Sequence, residues 1–278
     1  MRYGIIVPNF GEYSDARTVA ELAREAEGAE WDGFFIWDQM SMDTPEPVAD
    51  PWVVLAAVAM STSRVRLGPM VTPIARRRPW KVAREAVTLD HLSGGRLILG
   101  VGLGAFQYEE FEALGEVSDP RTRAEMLDEG LQVLVGLWSG EPFSFEGKHF
   151  NIKGAQFLPK PLQRPRIPIW VAGSWPTKAP FRRAARWDGV IPGWDIMGGQ
   201  KQHPNEVADM IEYIKSHRTS PEPFEVAYGA KTPGDPAQAT TITRPYIDSG
   251  ITWWLEDLNP WRGTLSEMRE RVLQGPPK

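Results

Sequence analysis

Three groups of residues in this chain have types and spacings that could do chemistry. The first is glycine-rich: Gly100, Gly102 and Gly104, with Ala105, follow the apolar run Leu97-Ile98-Leu99 as a loose G-x-G-x-x-G/A. Such a loop lets main-chain amides close on a pyrophosphate when it ends the first strand of a dinucleotide fold. The second is Gly173-Ser174, just ahead of a helix starting near Pro176-Thr177. Unpaired amides, two hydroxyls and a positive helix end suit a phosphate there; Ser174 or Thr177 could equally be a plain N-cap. The third is a set of carboxylates, Glu109, Glu110, Glu112 and Glu256, in a chain with Trp37, Trp175, Trp194 and Trp261 at loop positions. An acid pair beside stacking tryptophans would suit a glycosidase, although the glutamates read more readily as a solvated face. No pair among the four histidines has metal-ligand spacing, and there is no cysteine. The reading is therefore no metal site, no disulfide and no thiolate nucleophile.

What these residues do depends on the elements that place them. Short β-branched and apolar runs alternate with amphipathic helical patterns from end to end. Strands are expected at 3–7, 33–36, 65–67, 96–101, 167–172, 188–191, 224–228 and 251–255. Helical faces follow, such as Val19, Leu22, Ala23 and Ala26 behind Ser14 or Asp15, and Val54, Leu55 and Val58 behind Pro51. Pro79 opens another helix that Gly94-Gly95 stops; Asp119 caps a further one, and Thr264 with Glu267 forms a capping box for the last. The first four strands begin about 31 residues apart, the size of a βα unit.

Eight such units in 278 residues give an α/β fold, a (β/α)8 TIM barrel with insertions after strands two and four, read as a single domain over 1–278. The glycine run then follows the fourth strand and not the first, so the dinucleotide fold is rejected. Its glycines read instead as bringing main chain close to a ligand at the C-terminal rim, where barrel sites lie. That rim collects Trp37-Asp38-Gln39, Met70-Val71-Thr72, Gly102, Gly104, Gly173-Ser174, Trp194 and Glu256-Asp257.

Composition narrows the partners. With 42% hydrophobic residues, 24% charged residues and a net charge of −5, the chain is globular. It has no basic tract beyond Arg76-Arg77-Arg78, so neither nucleic acid nor an anionic membrane is expected to bind. No apolar window approaches a membrane span, and the N-terminus lacks the h-region of a secretory signal. A cytoplasmic protein acting on a small molecule is the expectation.

The order of these motifs resembles the bacterial luciferase-like flavin-dependent oxidoreductases over nearly the full length. The block 76–104, "RRRPWKVAREAVTLDHLSGGRLILGVGLG", carries most of the likeness. "YGIIVPNFGEY", "WDGFFIWDQM", "DPWVVLAAVAMSTSRVRLGPMVTP", "PIWVAGS" and "GITWWLEDLNPWRG" add to it. The resemblance implies FMN or the deazaflavin F420 in a (β/α)8 barrel, usually as a homodimer. F420 is preferred because "RRRPW" is similar to the corresponding block of members that use it. The likeness also implies that Asp38 contacts the flavin edge. Met70, Val71 and Thr72 would form a bulge behind the central ring, often with a non-prolyl cis peptide. Gly102 and Gly104 would lie beside the ring or ribityl chain, and Ala172, Gly173, Ser174 and Thr177 around the phosphate.

Trp37, Gln39 and Trp194 would then face the substrate. Arg76, Arg77 and Arg78 would lie along an anionic cofactor tail or form a solvated basic face. Two positions depart from the family pattern. Many F420-using members carry His where this chain has Gln39, and several carry Glu where it has Ala105. Glutamine hydrogen-bonds but is no general base near neutral pH, so Gln39 is the one catalytic candidate and no acid or base is identified. Hydride transfer between F420 and an organic substrate is the implied activity. An FMN-dependent monooxygenase using oxygen and a non-catalytic flavin-binding protein are the alternatives.

Overall fold

The computed structural model describes residues 1–193 and 202–277. Eight parallel strands alternate with eight helices: β1 (Arg2–Val7), α1 (Ala16–Gly28), β2 (Gly33–Ile36), α2 (Pro51–Ser61), β3 (Arg66–Pro69), α3 (Pro79–Leu92), β4 (Leu99–Gly102) and α4 (Pro120–Trp138) come first. After these come β5 (Ile169–Gly173), α5 (Lys178–Ala184), β6 (Gly189–Pro192), α6 (Pro204–His217), β7 (Glu225–Ala230), α7 (Pro236–Asp248), β8 (Trp253–Asp257) and α8 (Leu265–Leu273). The sheet order is β3-β2-β1-β8-β7-β6-β5-β4, and the two-residue strand Thr72–Pro73 pairs beyond β4. Leu67 of β3 also bridges Leu97, with the Ile98 amide donating to the Leu67 carbonyl at 2.8 Å. The nine-stranded sheet is thereby nearly closed into the expected barrel.

Helix starts follow their cap chemistry. Asp50 accepts from the amides of Trp52 and Val53, Asp119 from Thr122 and Asp235 from Gln238, each just ahead of a proline. Such caps contribute about 0.5–2 kcal/mol apiece. Thr264 and Glu267 form the expected capping box, and His203 with Glu206 forms a second. The hairpin after α4 pairs Phe143–Glu146 with Asn151–Ala155, and Glu129 of α4 accepts the amides of Lys148, His149 and Phe150 at its turn.

Side chains alternate across the strands, one set facing the helices and the other the barrel lumen. The lumen set includes Ile6, Phe35, Trp170, Ile191, Trp253 and Leu255, all buried. Trp170 and Trp253 meet edge-to-face at 5.5 Å between centroids, and each lies within 5.9 Å of Phe35. This aromatic plug closes the barrel below its C-terminal rim.

Several strands extend one or two residues further toward the rim than their apolar patterns indicate. β8 ends at Asp257 rather than 255, β3 at Pro69 rather than 67, and β5 at Gly173 rather than 172. Asp, Pro and Gly are poor strand formers in isolation, and neighbouring strands in register hold them there. Asp257 and Gly173 therefore belong to strands rather than to loops.

The close approach of β3 and β4 fixes a glycine. A Cβ at Gly68 would stand 1.8 Å from the Ile98 carbonyl oxygen, whereas one at Gly28, at the end of α1, meets nothing within 4 Å. Gly68→Ala is expected to lower the unfolding free energy by about 3 kcal/mol or more. Gly28→Ala is expected to raise it by about 0.4–1 kcal/mol. Urea unfolding of the two variants checks both.

Candidate functional site

With the lumen plugged, the accessible end of the barrel is the rim. A cleft there encloses about 630 Å³, counted out to its open mouth. Its walls are Trp37, Asp38, Gln39, Met70, Val71, Pro73, Gly104, Ala105, Phe106, Glu110, Ala172, Ile191 and Gly193. Of the residues singled out from sequence, Trp37, Asp38, Gln39, Met70, Val71, Gly104 and Ala172 are among them. The Met70–Val71 peptide is cis. Thr72 stands behind the wall, its Oγ1 donating to Asp38 Oδ2 at 2.9 Å. Trp194 lies outside the described residues.

The glycine run works differently from its reading in sequence. A Cβ at Gly102 would stand 2.8 Å from Val71 Cγ2, so this glycine makes room for a neighbouring side chain. At Gly104, with φ at +84°, a Cβ would stand 2.8 Å from the Phe111 ring. Gly104 supplies main chain to the cleft wall, and Gly102 is not among the wall residues.

Gly173, Ser174 and Thr177 continue the rim past Ala172. The Gly193 amide donates to the Gly173 carbonyl at 2.6 Å, and a Cβ on Gly193 would come within 2.7 Å of Ser174 Oγ. Ser174 and Thr177 are exposed. Thr177 occupies the N-cap position of α5, yet its side chain makes no cap bond, so the plain N-cap reading does not describe it. Lys178 Nζ, at the first residue of α5, lies 3.3 Å from the Trp175 ring centroid and 4.5 Å from that of Tyr213.

Charge at the cleft is concentrated in a buried quartet. Arg76 and Arg77 both donate to Asp38, at 2.7 and 2.9 Å, and Arg76 also pairs with Glu110. Glu110 accepts the Met40 and Ser41 amides at 2.6 and 3.3 Å. Two expectations are thereby corrected. Arg76 and Arg77 are neither a solvated basic face nor free for a cofactor tail; only Arg78 is exposed. Glu110 is no solvated residue but is 2% exposed. The physical reason is mutual: a buried carboxylate requires a cation, and these four charges cancel. Burial raises the pKa of Glu110 against the opposing pull of Arg76. Burial also works against the Arg77 cation, but Asp38 more than offsets it and the Arg77 pKa is raised.

Gln39 is held rather than free. Its Nε2 donates to the Ser41 carbonyl at 2.9 Å and its amide donates to Asn9 Oδ1 at 3.1 Å. Asn9 Nδ2 returns bonds to the carbonyls of Gln39 and Ala49 at 2.8 and 2.7 Å. The sequence does not single out Asn9; the available signal is an amide side chain two residues past the first apolar strand.

Glu256 accepts from Thr232, Arg262 and Trp254, on the strand face opposite Trp253. It is not a wall of the cleft, so the acid pair that a glycosidase needs does not converge there.

The family model described as luciferase-like monooxygenase matches residues 1–271. The chain belongs to the luciferase-like monooxygenase family. Curated relatives include the uncharacterized protein y4wF of Sinorhizobium fredii, 35% identical over 138 residues, which are 49% of this chain and 37% of that protein. The uncharacterized protein Rv0940c of Mycobacterium tuberculosis is 31% identical over 181 residues, 65% of this chain and 59% of that one. The chain thus spans from about a third to three fifths of the length of these relatives.

Solved structures share the fold. An F420-dependent secondary alcohol dehydrogenase superposes with TM-score 0.79 at 18% identity, covering 99% of this chain and 98% of that one. The F420-dependent tetrahydromethanopterin reductase of Methanopyrus kandleri gives 0.78 at 18%, covering 98% and 97%. The FMN-bound oxygenating constituent of a Pseudomonas putida Baeyer–Villiger monooxygenase gives 0.78 at 15%, covering 99% and 96%.

In this member of the luciferase-like monooxygenase family the charge quartet joins the insertion after β4 to the loop after β2. Arg76→Met leaves Asp38 and Glu110 short of a cation and is expected to cost about 3–5 kcal/mol of stability. Adding Glu110→Gln to Arg76→Met is expected to restore part of it, because the Asp38–Arg77 pair survives. Denaturant unfolding of the single and double variants measures both effects.

Proposed function

We propose that the protein is an oxidoreductase that binds a flavin-type cofactor in the rim cleft, F420 in the first reading, and transfers hydride between it and a small organic substrate. The observation that carries this is the chemistry of the cleft wall. Trp37, Met70, Val71, Pro73, Ala172 and Ile191 present apolar surface, and the acids at its edge, Asp38 and Glu110, are neutralised by Arg76 and Arg77. A flat, uncharged ring system fits such a wall, with the few polar edges fixing its orientation. Ser174, Thr177 and Lys178 at the rim fit the phosphate of either cofactor. When bound, the cofactor supplies the hydride chemistry, while the chain orients the reactants and excludes water. The likeness of the 76–104 block to F420-using members supports F420 over FMN.

Titration of the purified protein with F420 and with FMN, read by quenching of tryptophan emission, tests this reading. F420 is expected to bind in the micromolar range or tighter, and FMN more weakly. The reverse order would replace the first reading with that of an FMN-dependent monooxygenase, and binding of neither would overturn both. Ser174→Ala with Thr177→Ala is expected to weaken cofactor binding by roughly tenfold or more, as hydrogen bonds to a charged group are lost.

We also propose that the protein acts as a homodimer through α2. That helix is apolar on all sides, yet Val53 and Met60 are 66% and 70% exposed, the signature of a helix face that a partner covers. Sedimentation of Val53→Glu/Met60→Glu is expected to show a monomer where the unmodified chain is a dimer.

A further inference from the structure

The described walls of the rim cleft include four side chains with nitrogen or oxygen atoms: Trp37, Asp38, Gln39 and Glu110. Three of them are closed to a ligand. Asp38 Oδ1 accepts from Arg76 and Arg77 at 2.7 and 2.9 Å, and its Oδ2 accepts from Thr72 and Arg77 at 2.9 and 3.0 Å. Glu110 Oε1 accepts the Met40 and Ser41 amides, and its Oε2 pairs with Arg76. Every group bonded to these oxygens is a donor, so neither carboxyl has a proton to pass on. The Trp37 indole N–H is sealed in the wall without a partner.

Gln39 is different. Its Nε2 donates one hydrogen to the Ser41 carbonyl at 2.9 Å, while its second N–H and its Oε1 have no partner among the described residues. Neither amide atom is among the sealed, unpaired ones. Its main chain is fixed by Asn9, which accepts the Gln39 amide at 3.1 Å and donates to the Gln39 carbonyl at 2.8 Å. Among the described residues the cleft thus offers a ligand one fixed, neutral amide side chain between apolar walls, and no free acid or base.

That combination favours one kind of hydride acceptor. Hydride added to an isolated carbonyl leaves charge on an alkoxide oxygen, a strong base that needs an acid at hand. Hydride added to a C=C bond conjugated to a carbonyl leaves an enolate, which is far less basic. A neutral N–H stabilises its oxygen, and its carbon takes a proton from water without help from a side chain.

We propose that the substrate of this site is a neutral α,β-unsaturated carbonyl compound reduced at its C=C bond, with the free N–H of Gln39 holding its carbonyl oxygen. This rests on the oxidoreductase reading above. In the step, the β-carbon of the substrate forms a C–H bond with hydride from the reduced cofactor. The C=C π pair moves between the α-carbon and the carbonyl carbon, and the C=O π pair moves onto the oxygen that Gln39 holds. The enolate then takes a proton from water at its α-carbon and the C=O bond re-forms. The substrate gains two electrons and two hydrogens, the cofactor loses two electrons, and Gln39 is unchanged. Neutrality of the substrate follows from the quartet, whose charges already cancel and leave no counter-ion for a charged ligand.

Cyclohex-2-enone labelled at its carbonyl is the probe, and the full chain is compared with Gln39→Leu. In cofactor-free protein the infrared carbonyl band of the bound probe is expected at lower frequency than in an apolar solvent, and the shift is expected to vanish in the variant. In protein loaded with reduced cofactor, without oxygen, the expected product is cyclohexanone. The variant is expected to lose about 10²–10³ in kcat with KM changed far less, because the hydrogen bond strengthens as the oxygen gains charge. Gln39→Glu keeps the side-chain shape but, ionised, has no N–H to offer, so it is expected to show the same losses. Thermal unfolding is the fold control: Asn9 holds the main chain of residue 39, so both variants are expected to unfold near the midpoint of the unmodified protein.

Cyclohex-2-enol as the product, or no reduction of the probe, overturns the proposal. So does a carbonyl band that is unshifted in the unmodified protein or equally shifted in Gln39→Leu, and so does a variant that keeps its kcat. The infrared readout needs no cofactor, so failure of F420 and FMN to bind is distinguishable from failure of the Gln39 contact.

Discussion

The volume of the barrel lumen constrains everything above it. An eight-stranded barrel has an interior just wide enough for side chains, so each large residue needs a small one facing it. Phe35, Trp170 and Trp253 fill this lumen because strand glycines give way to them. A Cβ at Gly33 would stand 2.7 Å from the Phe35 ring, and one at Gly189 2.5 Å from Trp170. One at Gly4 would stand 2.9 Å from Leu255. The result is a solid interior with no passage through it. Among the described residues the cleft lies at the rim, and side chains reach it from the ends of strands and the loops that follow them.

The rim in turn balances its own charges. Arg76 and Arg77 lie in the loop after β3, Asp38 follows β2, and Glu110 comes from the insertion after β4. Because the four charges cancel, the cleft beside them is uncharged although it is bordered by two acids. Uncompensated carboxylates would disfavour an electron-rich reduced ring, and uncompensated arginines would recruit anions without discrimination. The same quartet ties three loops together, so the walls of the cleft are set relative to one another by ion pairs as well as by the barrel.

Much of this was legible from sequence. Strand spacing, prolines and acids at helix starts, and glycines at helix ends report local backbone preferences, and those preferences were enough to establish a barrel and its rim. Pairings between distant residues were not legible. Glu110 reads as solvated because its neighbours Glu109 and Glu112 are polar; its cation, Arg76, is remote in sequence and meets it only in the folded chain. Gly102 carries a familiar motif, but what it accommodates is Val71 from the segment after β3. Asp257 reads as a loop residue because alternation of apolar residues ends before it, whereas the ladder with β1 continues to it through the pairing with Ile6.

That last displacement bears on how such a site changes its chemistry. In a barrel every strand end addresses the same volume, so a proton-handling group can stand on any of several strands without altering the fold. Gln39 and Ala105, after β2 and β4, carry no titratable group. The lumen-facing end of β8 carries a titratable one, Asp257, held by Asn259, which in turn accepts the Trp261 amide. Burial there is a disadvantage to the carboxylate and an advantage to the acid, since desolvation favours the neutral form. The cleft and the Asp257 carboxyl share one property, that their surroundings favour neutral states, and it has one origin, the exclusion of water by a filled barrel below and an ion-paired rim above.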